Sequence, residues 1–301
     1  MSSVATSQPV AAATALDIRP VGGRLGAEIG GVRLSGELPQ ATVEAIRQAL
    51  WKHKVLFFRD QQHVDDVVHQ AFTERLGPLW VTATMSDPKA FYDLDADLPG
   101  GRASDWHTDS TFVVDPPTIS VLRALRLPPR GGDTAWADTA AGYRDLPDEF
   151  QALAAKLWAR HTSKLDLAAA MPAATPAQLR ALDEMTPGRQ AIAHHPLVFV
   201  HPQTGERCLL IRPRILGYAP ALSDQVIRIL QDHVTSIHNT VRWRWREGDI
   251  AVWDNLATQH LGVNDYGDLP RRMRRLTVQG APLTAVDGRR SVEAHRPGQW
   301  S

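Results

Sequence analysis

From Leu16 onward, ALDIRPV and RLGAEIGGVRL alternate apolar and polar positions, the period of short strands separated by glycine turns. Val43, Ile46, Leu50 and Trp51 then recur at helical spacing and predict a helix over residues 42–52. KVLFF at 54–58 reads as a compact buried strand, closed by Arg59 and Asp60. Helical spacing returns over 63–76 and ends at Gly77-Pro78.

Residues 80–105 lose periodicity and finish in DLDADLPGGRASD, the composition of a lid or binding loop. A strand is predicted over 118–127, then a turn at Arg130-Gly131-Gly132-Asp133. Residues 138–185 read mainly as helix, divided by Pro147, Pro172 and Pro176. Strands resume at 197–200, 208–211, 241–245, 249–253 and 276–279, with a helix over 223–237 between them. The pattern predicts one mostly β domain with flanking helices (α+β) over 16–285. A flexible Ala/Ser/Thr-rich tail at 1–15 and a polar tail at 286–301 complete the chain.

Composition removes several function classes. The 301 residues are 43% hydrophobic, enough for a large core, and 33 Lys+Arg balance 33 Asp+Glu. That balance argues against a dedicated nucleic-acid binder, which carries a basic excess or stripe. The single Cys208 excludes an internal disulfide and a cysteine-rich zinc or iron–sulfur site, and points to a reducing cytoplasm. Residues 1–16 lack the basic start and apolar run of a signal peptide, and no stretch reaches the roughly 18 apolar residues of a membrane helix.

His107-Thr108-Asp109, in DWHTDSTF, sets an imidazole and a carboxylate two apart, so in an extended strand both face one way and can meet on one ion. The spacing alone is a weak signal. His63-Val64-Asp65 repeats it, but at a helix start, where positions i and i+2 diverge. His260, in GDIAVWDNLATQH, is the third candidate, since it follows a strand and a turn and precedes the arginine-rich RRMRRLTVQG. His194, His195 and His201 flank prolines or a PQTG turn, and His233 and His238 lie on or after a helix, positions that suit structural roles.

Two histidines and a carboxylate on one face of an iron leave three positions open, the arrangement of non-heme Fe(II) oxygenases. A 2-oxo acid takes two of them through its carboxylate and ketone, and dioxygen takes the last. Arg271 and Arg275, four apart, share a face on either a strand or a helix. A guanidinium there can grip a carboxylate through two parallel hydrogen bonds. Thr134, in GGDT, can add a hydroxyl to the same carboxylate. A zinc hydrolase could use the three ligands, but it needs a separate base and has no use for an anion clamp.

Together, LGAEIGGVRL, KVLFFRDQ, WHTDSTF, PPRGGDTAWADT, HPQTGER and WDNLATQH with RRMRRLTVQG resemble the TauD/TfdA (taurine dioxygenase) family of Fe(II)/2-oxoglutarate-dependent dioxygenases. The alkylsulfate-cleaving and taurine-type members look most similar. The resemblance implies a double-stranded β-helix (jelly roll) of two facing sheets. It implies iron ligands at His107, Asp109 and His260, Arg271 on the distal carboxylate of 2-oxoglutarate with Thr134 beside it, and Arg275 near both cosubstrate and substrate. Fe(2+), 2-oxoglutarate and O2 follow as cofactor and cosubstrates, with release of succinate and CO2. The partner is then a small molecule, with no nucleic acid or membrane, and the chain a homo-oligomer, dimer or tetramer.

One departure bears on the substrate. Taurine and alkylsulfate enzymes carry a substrate-binding histidine in the loop that reads RLGPLWVTATM here, with Trp80, Thr82 and Thr84 in place of any histidine. The loss argues against a sulfonate, and Trp80 favours a bulkier, more apolar body. The expected activity is oxidation of an aliphatic C–H in a small anionic compound: an alkyl sulfate, sulfonate, aryloxy acid or natural-product carboxylic acid. Arg275, Trp80 and Thr82 are the expected substrate contacts. Oxidation of a neutral secondary metabolite, metal-dependent hydrolysis and non-catalytic cupin-like binding are the alternatives.

Overall fold

A computed structural model describes residues 16–81, 91–97, 102–162, 191–212 and 214–294. Strands β1 (Asp17–Pro20) and β2 (Ala27–Gly30) form a hairpin, α1 (Gln40–His53) leads into β3 (Val55–Phe58), and α2 (Asp66–Leu76) follows. Next come β4 (Tyr92–Asp95), β5 (Ile119–Arg126) and β6 (Thr134–Asp138), then two short helices, α3 (Thr139–Arg144) and α4 (Asp148–Ala154). Strands β7 (Trp158–Thr162), β8 (Ile192–Pro196), β9 (Val198–Val200) and β10 (Arg207–Leu209) precede α5 (Pro220–Val234). The chain continues through β11 (Thr240–Trp243), β12 (Ile250–Asp254), β13 (Thr258–Gly262) and β14 (Arg272–Val278). Two-residue strands β15 (Thr284–Ala285) and β16 (Val292–Glu293) finish it.

A seven-stranded sheet, ordered β1-β2-β3-β12-β5-β14-β4, is antiparallel except between β2 and β3. The smaller sheet β11-β6-β13 faces it, giving the double-stranded β-helix. Strand alternation builds two cores from one sheet. Leu56 and Phe58 of β3, with Ile250 and Val252 of β12, pack against Val43, Ile46 and Leu50 of α1 and Phe72 of α2. Phe57, Ala251 and Trp253 point the other way, into the space between the sheets, where they meet Trp136 and Trp243. Phe57 and Trp243 stack with centroids 4.0 Å apart, worth about 0.5–1.5 kcal/mol beyond area burial. A strand covered on both faces must be apolar throughout, which is why VLFF at 55–58 has no polar side.

Three stretches differ from the sequence reading. The expected loop at 80–105 contains β4, an acidic edge strand paired to β14, whose Asp93 bonds Arg272 and Arg274. Helix does not continue through 138–185: after α4, Trp158–Thr162 alternates in burial and pairs with β8, an arrangement its alanine-rich surroundings disguise, and 163–185 lies outside the described residues. Past 286, Val292–Glu293 pairs with β8, and Ser291 is buried. α2 begins at Asp66 rather than at 63, because the Asp65 side chain accepts the Val68 N–H and caps the helix. Residues 1–15 and 295–301 lie outside the described residues. Among the described residues no helix is long and apolar enough to cross a membrane.

Two buried histidines make the fold acid-sensitive. Burial pushes His69, whose Nε2 lies 3.2 Å from the Val121 carbonyl, down to about 3, and pushes His195 down to about 4. Between pH 6.5 and 5 the unfolded chain protonates both while the folded chain does not. Stability therefore falls with pH in that window, by about 1.4 kcal/mol per pH unit for each histidine. Thermal melts at pH 6.5, 5.8 and 5.0 should show a steadily falling Tm; a flat profile would contradict neutral burial.

Candidate metal centre

His107 N–H donates to the His260 carbonyl (3.0 Å), and His260 N–H donates back to the His107 carbonyl (2.8 Å). Residues that exchange both bonds carry their side chains on one face, and the two rings lie 4.2 Å apart. Asp109 returns to that face, with Oδ1 3.6 Å from Nε2 of each histidine. All three ligand atoms lie within 4.8 Å of one another.

The protonation pattern suits a metal. His107 Nδ1 sits 2.7 Å from the Asp105 carbonyl, which can only accept, so Nδ1 carries the proton and Nε2 turns a lone pair inward. Burial pushes His260 well below the ordinary histidine value, with His107 acting in the same direction, and keeps it in the neutral form that binds metal. For Asp109 burial works against the charge, but the Arg275 guanidinium outweighs it and holds the carboxyl far below its usual range. Arg275 Nη1 bonds Oδ1, and Ser120 Oγ donates to Oδ2 at 3.0 Å. Two imidazole nitrogens and one ionised carboxylate are a donor set that fits Fe(II).

Beside the triad, β14 alternates its arginines. Arg272 and Arg274 turn outward to Asp93, while Arg271, just before the strand, and Arg275 are buried with Met273 between them. Arg271 Nε donates to the Gly132 carbonyl (2.9 Å) and Nη2 to Thr134 Oγ1 (3.3 Å). Thr134 also accepts from Trp245 Nε1 at 2.9 Å, which leaves its own O–H to donate to an incoming carboxylate. Burial lowers the Arg271 pKa, with Tyr266 and Asp133 opposing, yet an arginine stays a cation. Gly132 is required here: its φ is 72°, and a Cβ would lie 3.0 Å from Arg271 Cδ. Arg275 places its guanidinium 5.0 Å from the Tyr92 ring, and its buried Nε has no hydrogen-bond partner among the described residues.

Residues 17–277 match the family described as taurine catabolism dioxygenase TauD, TfdA family. The chain belongs to the TauD/TfdA family. It is 46% identical over 282 residues to an alpha-ketoglutarate-dependent sulfate ester dioxygenase of Pseudomonas putida, covering 92% of this chain and 93% of that protein. It is 43% identical over 279 residues to an alkylsulfatase of Acinetobacter baylyi, covering 91% and 88%. A crystal structure of a taurine dioxygenase from Burkholderia xenovorans superposes with a TM-score of 0.76 at 31% identity, covering 94% and 97%. This member of the family is an Fe(II)- and 2-oxoglutarate-dependent dioxygenase, with O2 as the other cosubstrate.

The fold brings four of the expected TauD/TfdA site residues together, His107, Asp109, His260 and Arg275, and pairs two more, Arg271 and Thr134, with each other. His63 is elsewhere, with Nε2 2.9 Å from the Leu34 carbonyl. Trp80 is half-buried, and its N–H donates to the carbonyl of Thr277, two residues beyond Arg275 on β14. Thr82 and Thr84 lie outside the described residues. Sequence reasoning missed Ser120, Trp245, Asn255 and His195. His195 Nε2 donates to the carbonyls of Thr111 (2.9 Å) and Val113 (3.1 Å), holding the chain just after Asp109. Asn255 lies inside the WDNLATQH motif, and that is the one sequence signal that could have found it.

Proposed function

We propose that this enzyme oxidises the carbon bearing the sulfate group of an alkyl sulfate ester. One molecule each of ester, 2-oxoglutarate and O2 gives an aldehyde, sulfate, succinate, CO2 and a proton. The observation that carries the reading is Arg275, whose buried guanidinium stands beside the triad with an Nε–H that no described residue accepts. Charge supports it, because a guanidinium buried beside the triad favours an anionic group over a neutral one.

His107, Asp109 and His260 hold the iron in this reading, and Arg271 with Thr134 grips the far carboxylate of 2-oxoglutarate. The bound iron supplies the oxidising chemistry. The residues' part is to orient: Arg275 fixes the sulfate so that the adjacent C–H lies towards the metal, and Trp80 covers the alkyl body. Once that carbon carries a hydroxyl, loss of its proton expels sulfate and leaves the carbonyl. The sole cysteine, Cys208, buried and free, suits a cytoplasmic enzyme. A dimeric or tetrameric assembly belongs to the same reading, and light scattering would measure it.

Sulfate and succinate measured together across alkyl sulfates of graded chain length test the proposal. Wild type should release them one to one, and Arg275→Gln should weaken ester binding while succinate formation persists uncoupled. Equal turnover of a neutral methyl ether would sink the anionic reading. Coupled turnover of aryloxy acids without turnover of sulfates would move the substrate class.

A further inference from the structure

We infer that Asn255 is a positioning residue: it sets the Asp109 carboxylate by gripping the Asp109 main chain, standing in for an absent strand. The inference rests on the reading that the triad holds iron. The bridge between His107 and His260 is isolated, and three residues later Ser110 has φ 51°, so Asp109 lies on irregular backbone with no ladder to fix it. Its polar groups are nevertheless satisfied. Asn255 Oδ1 accepts the Asp109 N–H at 2.9 Å, and Asn255 Nδ2 donates to the Asp109 carbonyl at 3.2 Å and to the Pro117 carbonyl at 2.8 Å. A planar carboxamide that accepts from the N–H and donates to the C=O of one residue reproduces the exchange made by an opposing β residue.

The turn that carries Asn255 is itself braced. Asp254 N–H donates to the Lys54 carbonyl and Asn255 N–H to the Thr118 carbonyl, both at 2.9 Å. Asp254 Oδ1 accepts the N–H groups of Leu256 and Ala257 at 3.1 Å, and His201 Nε2 lies 3.2 Å from it. Thr258 Oγ1 donates to the Asp254 carbonyl at 2.7 Å, and the Thr258 carbonyl accepts from Thr108 Oγ1 at 2.9 Å. Adjacent ligand-segment residues, Thr108 and Asp109, are thus held by one rigid turn, and β13 carries His260 directly onward from it. Asn255 is fully buried, so each of its bonds operates without competing water.

The test is cobalt(II) titration of metal-free protein, read by visible absorption, with a melting curve on the same sample. Asn255→Asp keeps the shape and the acceptor but loses both donated bonds and turns negative charge towards two carbonyls. Cobalt affinity should fall about 10–100-fold, the usual cost of losing an outer partner of a metal ligand, and the absorption bands should change. Gln61→Glu makes the same amide-to-acid change at another buried carboxamide, which accepts the Leu34 N–H and donates to the Val32 and Arg59 carbonyls away from that turn, so it should lower Tm and leave affinity and spectrum unchanged. If Asn255→Asp does not fold, Asn255→Ser carries the comparison. Wild-type affinity and spectrum in the folded Asn255 variant, or an equal loss in Gln61→Glu, would overturn the inference. Wild-type protein that takes up no cobalt would instead overturn the metal reading beneath it.

Discussion

His107→Ala, Asp109→Ala and His260→Ala are each expected to abolish tight Fe(II) binding and to drop turnover below detection. Three ligands are the minimum for a site that leaves room for a chelating 2-oxo acid and dioxygen, and two do not anchor the ion. The variants should differ in stability, which adds a check. Asp109→Ala leaves the Arg275 guanidinium buried without its carboxylate, a change that costs about 3–5 kcal/mol. His107→Ala removes a half-buried ring and should cost much less. His63→Ala, which removes the same i, i+2 His/Asp spacing elsewhere, should leave metal binding intact, since the His63 ring bonds the Leu34 carbonyl away from the triad. Equilibrium dialysis with iron or cobalt, beside circular dichroism to confirm folding, measures all four. Near-normal binding in any triad variant refutes that residue as a ligand.

Arg271→Ala should raise the 2-oxoglutarate requirement about 30-fold to several-thousand-fold, equivalent to about 2–5 kcal/mol, because it removes a buried charge-assisted clamp. The iron requirement should stay put, since Arg271 bonds Gly132 and Thr134 and none of the three ligand residues. Thr134→Val removes one neutral donor to a charged acceptor and should cost less, about 1.5–3 kcal/mol. KM for 2-oxoglutarate and the half-saturating iron concentration, measured on the same preparations, separate the two effects. An unchanged KM in Arg271→Ala would hand the clamp to Arg275.

The triad was largely legible because its signal is local. His107 and Asp109 sit two apart, and the period of an extended chain is enough to put them on one face. Arg271 and Arg275 follow the same rule, with Met273 buried between them and Arg272 and Arg274 directed outward. The supporting residues carry no such period. Ser120, Trp245 and Asn255 act on partners 11, 111 and 146 positions away, and their residue types occur as readily in ordinary turns and strands. Strands β4 and β7 escaped for a related reason: an acidic edge and an alanine-rich stretch have the local propensities of loop and helix, and pairing overrides both.

By itself the sequence determined the periods of α1, α2 and α5, the doubly buried strands β3 and β12, the ligand types and the arginine pair. Each is set by side-chain spacing within about twenty residues, where the geometry of helix or strand leaves no freedom. Tertiary structure decided which histidine completes the triad, through the two main-chain bonds that join His107 to His260, 153 positions apart. It also set how Asp109 is charged, because the balance between burial and Arg275 exists only once β14 lies beside β5. Ligand chemistry is a property of residue type, whereas convergence, burial and pKa are properties of neighbours, and distant neighbours exist only in the folded chain.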